Sequence, residues 1–170
     1  MEKGKWNVDW IKISLIAALY TVLTVAVAPL SYGPVQFRIS EVLNILPFIP
    51  PYGVGAAIGL TIGCLLSNII SPYGIVDMVL GTLATAIAVF GVYGVRKVMG
   101  RRGLYLALII PTIANTIIIG LMLNVFYEVP VSEAYGGVLI GEFVTATIGG
   151  YFLYKALEKM GFEKEGVSDE

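Results

Sequence analysis

The sequence predicts an all-α membrane protein: six transmembrane helices in one bundle, with both termini in the cytoplasm. Two observations carry this. The 170 residues are 57% hydrophobic and only 14% charged, where soluble domains run near 25% charged. The basic residues are also gathered at three places along the chain, spaced as positive-inside bias requires of an even number of crossings. Apolar segments leave no length for a separate soluble domain. Residues 1–170 therefore read as a single transmembrane domain, with a short cytoplasmic segment (1–9) and a polar, frayed tail (159–170).

The apolar segments are Trp10–Leu30, Ile39–Pro50, Val54–Ile70, Val76–Val95, Leu104–Phe126 and Ala134–Leu157. A crossing helix needs about 20 apolar residues. Four segments meet this, the third is marginal, and the second is short. The opening "MEKGKWNVDW" and the "AVA" before Pro29 mimic a signal peptide, but the apolar run is a full span long. Proline directly after the small-residue pair also suits cleavage poorly, so a retained first helix is expected. Trp6 and Trp10 at the start of the first helix, and Tyr151 and Tyr154 at the end of the last, read as interfacial anchors.

Charge placement decides the second segment. Lys3, Lys5 and Lys12 precede or open the first span. Arg96, Lys97, Arg101 and Arg102 follow the fourth, and Lys155, Lys159 and Lys164 close the sixth. Six crossings put all three groups on the cytoplasmic side. If the second segment only dipped in and out, the arginine-rich loop would face outward. Arg38 alone falls on the outer side.

Several polar residues lie where lipid would otherwise be met. Arg38, Glu41 and Asn44 open the second segment, Asn68 ends the third, and Tyr73 and Asp77 begin the fourth. Asn115 and Glu142 sit deeper on the fifth and sixth. A charge at mid-bilayer costs about 2.5–3.5 kcal/mol on insertion scales, so such residues usually face an interior site and mark function. The expected arrangement is a cluster open to the outside, bordered by a second segment that Pro47 interrupts. Each residue also has a structural reading. Arg38 and Glu41 suit a pair at helical spacing, Asp77 suits a helix cap, and Asn68 and Asn115 suit interhelical hydrogen bonds. Asn44 reads as structural. Glu142 has no cap or surface role to explain it, and Thr145 on its face suggests a crevice. Tyr32, Phe37 and Tyr73 are candidate stacking surfaces. Three carboxylates against one arginine favour a small cationic or donor-rich ligand.

The first helix carries small residues four apart, Ser14 with Ala18 and Ala17 with Thr21, which permit close helix approach within the bundle or to another protein. The chain has no histidine, which removes His-based metal sites and bases. It has no G-x-x-x-x-G-K-[ST] phosphate loop and no G-x-S-x-G elbow. An enzyme is not expected. Cys64 is the single cysteine and cannot form an intrachain disulfide.

The runs "PLSYGPVQFRISEVLNILPF" and "GCLLSNIISPYGIVDMVLGTLAT" resemble the QueT family, substrate-binding S components of energy-coupling factor (ECF) transporters. The resemblance extends from about Ile13 to Tyr154. Arg38, Ser40 and Glu41 match its "FR-x-SE" signature; Asn68, Tyr73 and Asp77 match "N…SPYG…D"; Glu142 stands at its "GE" position. The resemblance implies an S-component bundle in the plasma membrane, with 7-aminomethyl-7-deazaguanine, a queuosine precursor, as ligand. It implies as partners an ECF membrane coupling protein and two ATPase subunits that use the ATP. No cofactor on this chain and no nucleic acid are expected. Ser14, Ala17, Ala18 and Thr21 resemble the docking face, with Thr21 where an alanine often stands. A deazaguanine offers N–H donors, a carbonyl acceptor and a cationic arm, which suits carboxylates and amides together. Glu41, Asp77 and Glu142 are more carboxylates than such a ligand needs; their individual roles stay open, neutralisation of Arg38 by one of them included. The alternatives are an S component for another vitamin or heterocycle, and a self-standing ion-coupled secondary transporter.

Overall fold

The computed structural model describes residues 9–33 and 36–162. Lys3, Lys5, Trp6, Lys164 and the polar tail from 163 onward lie outside the described residues. The described residues are helical, in an order close to the expected one: α1 Trp10–Ala26, α2 Ala28–Ser31, a 3₁₀ segment Ile39–Phe48, α3 Gly53–Asn68, α4 Gly74–Met99, α5 Leu104–Tyr127, and α6 Val131–Glu142. The last helix continues through a π-helical stretch, Phe143–Gly149, into α7 Gly150–Lys159.

Local chemistry sets the ends. The Asp9 carboxylate accepts from the backbone N–H groups of Ile11 (3.1 Å) and Lys12 (3.3 Å), capping α1. The first helix breaks at Val27 rather than running to Leu30, because Pro29 has no N–H to donate back to the preceding turn. Gly100, at φ 57°, turns the chain between α4 and α5, so the helical run Gly74–Tyr127 is a hairpin, with Gly91 facing Ile110 across it. That run and Val131–Lys159 are long and apolar enough to cross a membrane. At about 1.5 Å per residue, α4 and α5 with 26 and 24 residues each exceed a bilayer core of about 30 Å.

Close contacts give the direction of each pass. Gly59 meets Ile13 and Ile16, and Gly63 meets Ala17 and Tyr20, so α1 and α3 run parallel. A single segment between two parallel helices has to return the length of the bundle. The 3₁₀ segment does this, from Arg38 beside Asp77 at the start of α4 to Phe48 beneath Arg96 at its end. Ten residues rise roughly 20 Å in a 3₁₀ helix but only about 15 Å as an α-helix. The tighter winding lets a short segment traverse. The second segment is thus a full pass of the bundle.

The result is a six-pass, up-and-down bundle. Arg101 binds Glu158 at 2.6 Å, and the Tyr52 and Phe162 rings pair at 6.0 Å. The loop after α4, the start of α3 and the end of α7 therefore share one end. Phe162 also corrects the expected fraying from 159. Gly161 (φ 94°) and Phe162 close α7, the Phe162 N–H donating to Leu157 C=O at 3.2 Å. Tyr154 is corrected too. It is 2% exposed and sits edge-on to Phe48, so it belongs to the core rather than to an interface.

The exterior is greasy, and a polar cluster is buried inside. Ile11, Leu15, Ile75, Ile117 and Phe152 are more than half exposed, whereas Arg38, Glu41, Asp77, Asn115 and Glu142 are at most 3% exposed. Water would oppose this distribution; a hydrocarbon surround favours it.

Candidate functional site

The 3₁₀ segment is the hub. With three residues per turn, positions i and i+3 stack one above the other. Glu41 and Asn44 share a stripe, which is why the Asn44 amide donates to Glu41. That stripe meets α1 and α5. The Tyr20 hydroxyl also donates to Glu41, and Asn115 Nδ2 donates to Glu41 Oε2 at 3.1 Å. Asn44 is therefore part of the cluster. On another side of the segment Ser40 Oγ lies 2.7 Å from Thr24 Oγ1, tying it to α1. On a third, Val42 packs against Gly149, where a methyl group would come within 2.7 Å of the valine side chain.

Arg38 does not pair with Glu41, correcting one reading of their spacing. Its backbone is extended (φ −94°, ψ 105°), ahead of the helix, so helical facing rules do not govern its side chain. The guanidinium turns to α4. Nη2 donates to Asp77 Oδ2 at 3.1 Å, Nε donates to Ser31 C=O at 3.2 Å, and the group lies 5.2 Å from the centre of the Tyr32 ring. Ser71 Oγ donates to Asp77 Oδ2 at 2.6 Å. Asn68 Nδ2 donates to the Asp77 carbonyl at 3.1 Å and to Cys64 Sγ at 3.4 Å, and Thr85 Oγ1 donates to the same sulfur at 3.2 Å. Asp77 is thus the carboxylate that neutralises Arg38.

Glu142 is different. It lies in the same neighbourhood, close enough to interact with Glu41, Asn115 and Arg38, but its Oε2 has no hydrogen-bond partner. Thr145 is no donor toward it, because that hydroxyl bonds Gly141 C=O at 2.8 Å. The π-helical stretch begins at the next residue, Phe143, and such turns recur at functional sites. The amide oxygens of Asn44, Asn68 and Asn115 are also unpartnered. Buried polar atoms are nearly always satisfied, so these oxygens stand out as acceptors without donors. The cluster is closed in this conformation, with side chains 0–3% exposed, which corrects the expected opening to the outside.

The chain belongs to the QueT transporter family. The family model described as "QueT transporter" matches residues 10–159. The chain is also similar to the "Queuosine precursor transporter QueT" of Lactococcus lactis subsp. cremoris (strain MG1363). They are 32% identical over 167 residues, covering 91% of this chain and 95% of the relative. No solved structure matches the chain. As a QueT-family member it is a membrane transport protein from a family of transporters, not enzymes.

The sequence-predicted residues therefore divide. Glu41, Asn115 and Glu142 come together. Arg38, Asp77 and Asn68 form an adjoining group, in which the guanidinium and the Asp77 carboxylate are paired while the Asn68 amide oxygen is not. Tyr73 stands at the rim, its hydroxyl donating to Tyr32 C=O at 3.3 Å and its ring edge-on to Tyr127 at 4.8 Å. Tyr20 was not singled out in the sequence. It reads there as one apolar position among many, and only the contact with Glu41 reveals it. The small residues of α1 separate as well. Ala17 is 4% exposed and Thr21 bonds Gly63 C=O at 3.1 Å, both against α3. Ser14 and Ala18 remain exposed.

Proposed function

We propose that this chain is the substrate-specific S component of an ECF-type importer, binding the queuosine precursor 7-aminomethyl-7-deazaguanine from outside the cell. On this reading the six passes are six crossings of the plasma membrane, with the basic end and both termini cytoplasmic. The coupling protein and two ATPases supply the energy. Family membership supports transport of a queuosine precursor, and the gathering of basic side chains at one end supports the orientation.

The unpartnered Glu142 oxygen beside Glu41 and Asn115 carries the ligand assignment. Ionised carboxylates accept only, and they match the N–H edge and the ammonium arm of a 7-deazaguanine. Glu142 and Asn115 take the ligand, and Glu41 is held in place by Tyr20, Asn44 and Asn115. Arg38, Asp77 and Asn68 shape the adjoining wall, and Tyr73 lies over the entrance. Ser14 and Ala18 serve the docking face.

Mass spectrometry of small molecules extracted from the purified protein tests the ligand. A deazaguanine is expected, and a different heterocycle would reassign the site. Uptake by the chain alone in ATP-free liposomes under an imposed ion gradient would contradict the S-component assignment and make it a self-standing carrier.

A further inference from the structure

Glu41 and Glu142 are buried carboxylates, 0% and 3% exposed, close enough to act on one another and served in common by the Asn115 amide. Their hydrogen bonding is unequal. Glu41 accepts from the Tyr20 hydroxyl and from the amides of Asn44 and Asn115, and several donors of this kind suit an ionised carboxylate. Glu142 shares only the Asn115 amide, and its Oε2 has no partner. The amide oxygens of Asn44 and Asn115, also unpartnered, are acceptors as well. The cluster therefore lacks a donor, and a carboxyl proton is the donor that this chain can supply by itself.

The charges around Glu142 lead to the same point. The 3₁₀ segment brings Glu41 against it, and α5, which has no charged side chain, brings Asn115. Arg38 is the cation that acts on Glu142, and it is held by Asp77 at 3.1 Å. The Tyr20 hydroxyl of α1 is engaged with Glu41. On α7, Lys155 and Glu158 pair with each other at 2.8 Å. Like charges this close in a buried site do not both persist without a cation between them.

We propose that the Glu41–Glu142 pair holds a single proton while the site is empty, carried by Glu142, and that the ammonium arm of the ligand displaces it. This rests on the deazapurine reading above and adds a step to it. The Glu142 O–H bond breaks, the proton leaves to water, and an ammonium N–H takes its place against the freed carboxylate. One positive charge enters as another leaves, so the net charge buried in the site is the same before and after. A neutral heterocycle cannot make this exchange, which makes the pair a filter for a cationic arm.

The test is titration calorimetry on the full chain with 7-aminomethyl-7-deazaguanine, repeated at one neutral pH in buffers of different ionisation enthalpy, which counts the protons released on binding. Wild type is expected to release about one proton per ligand. Glu142→Gln keeps a side-chain oxygen but has no carboxyl proton, and is expected to release none. A merely structural role for Glu142 would alter affinity without altering this count. Binding by wild type with release below about half a proton would overturn the inference alone. Release that persists in Glu142→Gln would do the same, because the proton would then come from the ligand's own ammonium. Infrared difference spectra of wild type, bound against free, need no variant. A carboxylic-acid C=O stretch is expected to vanish on binding, and its absence from the free protein would overturn the proposal. Wild type that does not bind the deazaguanine would overturn the proposed ligand, and this inference with it.

Discussion

Arg38 and Asp77 form a buried ion pair across two elements of the bundle, Nη2 to Oδ2 at 3.1 Å, with side chains 4% and 0% exposed. The pair joins the start of the 3₁₀ segment to the start of α4 and consumes the cluster's arginine. Glu41 and Glu142 are left without a cation of their own. That is the electrostatic basis of the cationic ligand proposed above.

Breaking the pair from one side strands a buried charge. Asp77→Asn is predicted to destabilise the protein by about 3–5 kcal/mol. Removing both partners in an Arg38→Met, Asp77→Leu double variant is predicted to cost less than that single change. Thermal unfolding in the same detergent compares them. A double variant less stable than Asp77→Asn would refute the pairing.

Glycines let α1 lie on α3. A methyl group on Gly63 would come within 2.7 Å of Ala17 C=O and 2.8 Å of Tyr20 Cβ, so α1 would have to move and carry the Tyr20 hydroxyl away from Glu41. Gly63→Ala is predicted to lose about 1–3 kcal/mol of stability and to weaken ligand binding. Normal unfolding temperature and affinity would show that the contact is not tight.

Ala17 and Ala18 are adjacent yet face opposite surroundings, 4% exposed and exposed. Ala17→Leu is predicted to disturb folding through overpacking, by about 1–3 kcal/mol. Ala18→Leu is predicted to leave unfolding and ligand binding unchanged while abolishing ATP-dependent uptake in liposomes with the partner subunits. Full uptake by Ala18→Leu would remove the exposed stripe of α1 from the docking face.

Much of the fold could be read from hydropathy, because every long helix has a lipid-facing side and the apolar runs match the helices to within a few residues. Parity of the basic residues foresaw the second pass, and the parallel α1 and α3 explain it physically. Its 3₁₀ winding was not readable, since a dozen apolar residues around Pro47 have no period that separates the helix types. Nor was the π-helical stretch after Glu142, which has no residue signature in "FVTATIG". The polar residues were found by their cost in lipid, but their pairing was not. Spacing suggests Arg38 with Glu41 only if both lie in one helix, and Arg38 lies outside it.

The central claim is that Glu142 offers its unpartnered oxygen to the ligand, and titration calorimetry on wild type and Glu142→Gln side by side tests it most directly. The account predicts that affinity for 7-aminomethyl-7-deazaguanine falls at least about tenfold, the loss of one hydrogen bond to a charged group. The unfolding temperature should stay unchanged, because Oε2 holds nothing else in place. An affinity within about twofold of wild type would contradict it.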